Sequence, residues 1–115
     1  MPEPLSGMCA IRANDNEVFL VGGLTYEGLS TNATWIFNLT SQKWRRGPEM
    51  ADARAMFSCT RFYSGWHFKH VVVVSGGVQV DCNDEKNKTC ARALDTVEII
   101  DAQYLTQWEQ GWWHT

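Results

Sequence analysis

Apolar runs in this chain stop early. Val71-Val72-Val73-Val74 is one of the longest, far short of the roughly 20 residues a helix needs to cross a bilayer. Basic charge is also scarce. Ten Lys and Arg face thirteen Asp and Glu, for a net charge of −3 with the two signs interspersed. Such a surface has no electrostatic footprint for nucleic acid and no polybasic patch for lipid, so neither partner is expected. The opening Met1-Pro2-Glu3-Pro4-Leu5-Ser6 lacks the basic segment and apolar core of a secretory leader, and none is expected there. Catalytic signatures are missing as well: there is no Gly-x-Ser-x-Gly, no His-Glu-x-x-His, no phosphate-cradling glycine loop and no Cys-x-x-Cys. The expectation is a non-catalytic protein without a cofactor. A sustained 3.6-residue periodicity is absent too, which argues against helix.

What is present is a phrase stated twice. Val18-Phe19-Leu20-Val21-Gly22-Gly23 is followed by Thr34-Trp35-Ile36-Phe37-Asn38-Leu39 and Trp44. Val71-Val72-Val73-Val74-Ser75-Gly76-Gly77 is followed by Thr96-Val97-Glu98-Ile99-Ile100-Asp101 and Trp108. The copies drift by insertion, mainly between glycines and threonine. Short runs rich in Val, Ile, Phe and Trp, bounded by Gly, Asn, Ser and Asp, are strand signals. Gly-Gly at a strand end lets the backbone take positive φ and approach a neighbour closely. The later Trp carries a ring large enough to fill an inter-sheet gap.

A unit of about 50 residues with four short strands, Gly-Gly and a later Trp resembles a kelch-repeat blade of a β-propeller. The resemblance extends to Gly47-Pro48-Glu49-Met50 and Arg54, which are similar to the connector that kelch proteins place between blades. It implies inner strands at Leu5–Ile11 and Arg54–Phe62, with Cys9 aligned on Cys59. The implied fold is all-β: two four-stranded antiparallel blades of a kelch-type propeller, one over residues 1–50 and the other over residues 51–115. The second carries a Cys-bracketed insertion at 82–90. Gly22, Gly23, Gly76 and Gly77 are its structural glycines, and Trp44 and Trp108 its packing residues between blades.

Closed propellers hold roughly four to eight blades, each burying its faces against neighbours. Two blades leave both outer faces bare, so further blades or self-association are expected, with three chains closing a six-bladed ring. The terminal Gly111-Trp112-Trp113 departs from the Gly-Pro connector, and its indoles are expected where a third blade would pack.

Cysteines and sequons bear on compartment. Cys82 and Cys90 bracket a polar insertion that their own disulfide would close. Asn32-Ala33-Thr34, Asn38-Leu39-Thr40 and Asn87-Lys88-Thr89 are acceptor sequons for glycosylation at Asn32, Asn38 and Asn87. Together they favour the secretory pathway or cell exterior over the cytoplasm. Cys9 and Cys59, on adjacent inner strands, are open to a bridge between blades, but buried free thiols packing as small hydrophobes are the preferred expectation.

Metal readings are weak. His67 and His70, if both lie in a strand, point to opposite faces. Asp81, Asn83 and Glu85 alternate like calcium ligands, but Lys86 stands at the glycine position and Arg92 where the closing acid belongs. Function is therefore placed on loops. The kelch resemblance implies one loop face, here Leu24 to Ala33, Val78 to Asp95 and Arg45 to Ala53, that recruits a protein or peptide. Candidate partner-binding residues are Arg54, Tyr26, Asp84, Glu85 and Lys86. Arg54 is equally suited to hydrogen-bonding carbonyls between blades. The leading reading is a non-catalytic interaction scaffold, a fragment of a secreted or cell-surface propeller. The alternatives are an intracellular substrate-recognition module of a ubiquitin-ligase adaptor and a fragment of a galactose-oxidase-like extracellular copper oxidase.

Overall fold

The computed structural model describes residues 6–84 and 88–110 of the chain. The described chain has no helix. Its first sheet takes β1 (Cys9–Arg12), β2 (Glu17–Val21), β3 (Thr34–Asn38) and β4 (Lys43–Arg46) in sequence order. The second takes β5 (Ser58–Ser64), β6 (Lys69–Ser75), β9 (Val97–Asp101) and β10 (Trp108–Gln110), again in order and antiparallel. Between β6 and β9 a separate hairpin of β7 (Val78–Asp84) and β8 (Lys88–Ala93) is inserted. The segment from Val78 that was expected as loop thus pairs with itself instead. Its alternation of Val78, Val80 and polar residues suffices for a two-stranded ladder, and a pairing of Cys82 opposite Cys90 sits within it.

The two four-stranded sheets stack face to face, and the core lies between them. Phe19, Val21 and Ile36 come from the first sheet, Val72, Val74 and Ile100 from the second, and Met50 from the connector. Period-2 alternation selects these residues: Val18, Leu20, Trp35 and Phe37 share the opposite face of the first sheet. That outer face is only partly covered. Trp44 is half-buried, its ring 4.8 Å from Phe37. Trp108, at the matching place of the second sheet, packs on the core with its ring 5.7 Å from Phe19, and its Nε1 donates to the Pro48 carbonyl at 2.9 Å. Of the two tryptophans expected between blades, Trp108 is the one with a described neighbouring sheet to fill.

Three turns share one design. Asn38 accepts from the amides of Thr40 and Ser41, Asp101 from those of Gln103 and Tyr104, and Ser64 from that of His67. Each turn then places a residue at positive φ: Gln42 at 59°, Leu105 at 50° and Phe68 at 55°. A short polar side chain that satisfies one or two backbone amides makes such turns stable without glycine. His67 therefore lies in a turn and not in a strand, with its Nδ1 2.8 Å from Ser64 Oγ.

Glycine is required elsewhere. Gly22 has φ +59°, and a Cβ there would sit 2.6 Å from the Arg54 carbonyl; Gly77 has φ +86°, with its Cβ site 2.6 Å from the Ala55 carbonyl. Both sites abut the same connector, so the glycine pairs let the chain between sheets pass close to two strand ends.

The cysteine expectation is corrected here. Cys9 and Cys59 are joined by a disulfide, with Cα atoms 6.4 Å apart. The alignment of one on the other is what fails. Cys9 pairs with Val21 beside Gly22, whereas Cys59 pairs with Val74, one residue further from Gly76. A shift of one residue reverses the face. Cys9 consequently points from the first sheet to the second and Cys59 from the second to the first, so the thiols meet.

The strand expectations also move. The inner strands begin later than Leu5 and Arg54: Ser6 makes only an isolated bridge with Leu24, and Ala55 one with Val78.

Candidate interaction face

The β2–β3 loop, the β4–β5 connector and the β7–β8 hairpin meet at one end of the stacked sheets. Ser30 ties the loop to the hairpin, since the Ser30 amide donates to the Val80 carbonyl at 3.0 Å and Ser30 Oγ accepts from the Val80 amide at 2.9 Å. The connector is tied to the hairpin by the mutual bonds of Ala55 and Val78, both 2.9 Å, and by Gln79 Nε2 donating to the Ala53 carbonyl. Arg92 donates to Gln79 Oε1 from the other strand. An insertion of the second sheet is therefore fastened onto a loop of the first.

Beneath this end lies Arg54, fully buried. Its guanidinium donates to the carbonyls of Gly76 and Thr96 at 3.2 and 3.0 Å, to Thr96 Oγ1 at 2.9 Å and to Glu98 Oε2 at 2.8 Å. Asp52 Oδ2 is 3.4 Å away. Glu98, 1% exposed, also accepts from the amides of Ala51 at 2.6 Å and Asp52 at 3.2 Å. Arg54 and Glu98 thus pin the connector to the second sheet, and Arg54 has no surface left for a partner. Of the two roles weighed for it, the carbonyl-bonding one is what this geometry performs. Glu98 escaped sequence reasoning, although a lone carboxylate in the apolar run Val97-Glu98-Ile99-Ile100 was the available signal: a buried charge requires a partner.

The other candidates scatter. Tyr26, 91% exposed, stands on the β2–β3 loop. Glu85, Lys86 and Asn87 lie outside the described residues, as do Trp112 and Trp113, and the side chains of Cys82 and Asp84 are likewise outside them. Asn32 Nδ2 donates to the Met50 carbonyl at 3.2 Å, and Thr34 of the same sequon is buried with its hydroxyl on the Pro48 carbonyl. A glycan on Asn32 would replace one of the two Nδ2 hydrogens beside the first of these bonds. Asn38 sits at the exposed β3–β4 turn, where its oxygen caps the turn amides.

At the opposite end, Glu17 and Asp101 carry lowered pKa values. Partial burial raises each, but is outweighed for Glu17 by hydrogen bonds from Asn14 and Arg45 and by the charge of Arg45. For Asp101 it is outweighed by the Gln103 and Tyr104 amides and by Lys69. Among the described residues, no group of three or more His, Cys, Asp or Glu is placed to hold a metal ion.

Four-stranded antiparallel sheets that stack face to face, with the outer strand of one leading into the inner strand of the next, are propeller blades. The profile of the Kelch motif matches residues 7–51, which span the first sheet and the start of the connector. Beta-scruin of Limulus polyphemus is 36% identical over 66 residues, 52% of this chain. That match takes in 7% of the relative's length, so the chain spans a small part of it. The match to the Kelch motif thus falls on the first sheet, and the second sheet is built to the same plan with a hairpin inserted.

Proposed function

We propose that the chain is a non-catalytic protein-interaction scaffold that receives a protein or peptide on the face formed by the β2–β3 loop, the connector and the hairpin. The observation that carries this reading is the fastening of Ser30 to Val80 across the two blades, together with that of Ala55 to Val78 within the second, which holds the Tyr26 loop and the hairpin strands on one base. Recognition loops held by a rigid scaffold are a common way to build a binding surface. The blade units are taken as residues 1–50 and 51–115, within a propeller whose remaining blades are supplied by more kelch sequence or by further copies. The half-covered outer face with Val18, Phe37 and Trp44 supports a neighbour there.

The Cys9–Cys59 bridge favours an oxidising compartment, and hence the secreted or cell-surface setting over a ubiquitin-ligase adaptor. Cys82 and Cys90 are read as a second disulfide on the strength of their paired backbone register. The copper-oxidase alternative gains no support from the described histidines and tyrosines, since His70 and Tyr63 meet ring to edge rather than around a shared centre.

The test is selection of peptides from a displayed library on the immobilised, oxidised chain, followed by binding to Tyr26→Ala and Lys86→Ala variants. Selected ligands should lose about ten-fold or more in affinity to one of them. Ligands indifferent to both, with unfolding midpoints unchanged, would place recognition elsewhere.

A further inference from the structure

At the end of the blades opposite the interaction face, the β1–β2, β5–β6 and β9–β10 turns border a cleft of about 650 Å³. Its hollow exists because the residues where the blades meet are small: Ala13 and Ala102, both buried. The joint is fixed rather than open, since Asn14 Nδ2 crosses it to the Ala102 carbonyl at 3.0 Å.

The two walls differ in charge. Asp15 stands on the wall of the first blade, and Arg61, Lys69 and His70 on the wall of the second. Lys69 is taken by Asp101 at 3.3 Å, and the His70 ring stands edge-on to Tyr63, centroids 5.4 Å apart. Among the described residues, neither Asp15 nor Arg61 has an ion-pair partner, so one acid and one base are left facing a common hollow. Aromatic surface belongs to the same wall as Arg61: Tyr63 is 55% and Phe68 80% exposed. Phe68 is held out by the turn that gives it φ 55°. Exposed rings beside unpaired charges of opposite sign form a surface complementary to an apolar group flanked by opposite charges.

We propose that this cleft is a second ligand site, for a peptide segment in which an acidic residue, an aromatic or large aliphatic residue and a basic residue follow one another. Arg61 takes the carboxylate through its planar fork, Tyr63 and Phe68 take the apolar side chain, and Asp15 takes the cation. The volume matches the few hundred cubic ångströms of sites that enclose a ligand of this size.

The probe is acetyl-Glu-Phe-Lys-amide, titrated by calorimetry into the oxidised chain at low salt, alongside Gln-Phe-Lys and Glu-Ala-Lys analogues. Saturable binding at about millimolar affinity or better is expected, weakened about ten-fold by the Gln analogue, by the Ala analogue and by Arg61→Ala. Asp15→Asn should weaken it less, and Tyr26→Ala should leave it unchanged, which separates this site from the opposite face. Arg61 is exposed, so its variant is expected to keep the wild-type unfolding midpoint. Equal affinity for the Gln analogue, an Arg61→Ala variant that binds normally, or no saturable binding to any of the three peptides would overturn the assignment.

Discussion

Replacing Arg54 by Met removes a cation that carries no exposed surface and touches no ligand, so its effect must be read in stability. The side chain makes hydrogen bonds to the Gly76 and Thr96 carbonyls, the Thr96 hydroxyl and the Glu98 carboxylate. Its loss leaves Glu98 buried and charged without its cation. Removing one member of a buried pair costs about 3–5 kcal/mol, a large part of the about 5–15 kcal/mol that holds a domain together. For a chain of this size that is a fall of roughly 10–20 °C in unfolding midpoint. Because both groups are shielded from solvent, the loss should be nearly independent of salt. The double variant Arg54→Met, Glu98→Leu is the sharper experiment. Were the pair only a charge interaction, an apolar replacement would restore most of the stability. Here it also orphans the Gly76 carbonyl and the Ala51 and Asp52 amides, each worth about 1–3 kcal/mol where water cannot reach it, while the Thr96 carbonyl keeps the Gly76 amide. The double variant should therefore remain well below wild type in calorimetry or urea unfolding. Recovery to within about 1 kcal/mol, or an Arg54→Met variant that unfolds normally and loses only a binding partner, would refute the connector-pinning role.

Three further outcomes are expected. Replacing Cys9 and Cys59 by Ala should lower stability by about 4 kcal/mol in the chain-entropy model for a closed segment of this length, with residues 50 apart in sequence; urea unfolding of wild type and the double variant, both oxidised, measures it. Trp44 and Trp108 are both half-buried, but Trp108→Ala also loses packing on Phe19 and a bond to Pro48 and should cost about 1–2 kcal/mol more than Trp44→Ala in the isolated chain; equal costs would show that both outer strands are equally covered, as in an assembled ring that sedimentation equilibrium would detect. Glu17 and Asp101 have folded pKa values below their ordinary ones of 4.5 and 3.8. Their contribution is therefore present above those values and is lost as pH falls through the lower folded ones. Stability measured from pH 6 down to about pH 2 should drop less in a Glu17→Gln, Asp101→Asn variant than in wild type, and identical profiles would remove these carboxylates from the acid transition.

The doubled phrase was enough to define the blades because each element of it answers to local physics. Alternating apolar residues make half-buried strands, Gly22 and Gly77 supply backbone that no Cβ could occupy, and Asn38 and Asp101 cap turns of the same form. Tertiary structure alone decided matters that turn on a single residue of register or on a partner distant in sequence. Cys9 and Cys59 look equivalent as letters, yet the shift relative to their glycine pairs makes them face one another and bond. Arg54 fits a partner or a carbonyl equally well until Glu98, Gly76 and Thr96 are found around it. Val78–Ala93 reads as a polar loop because its strands are stabilised by cross-strand pairing and by Ser30 and Ala55 far upstream. Strand periodicity is written in neighbouring residues, whereas the direction of a cysteine, the burial of an arginine and the docking of a hairpin depend on which sheet arrives opposite.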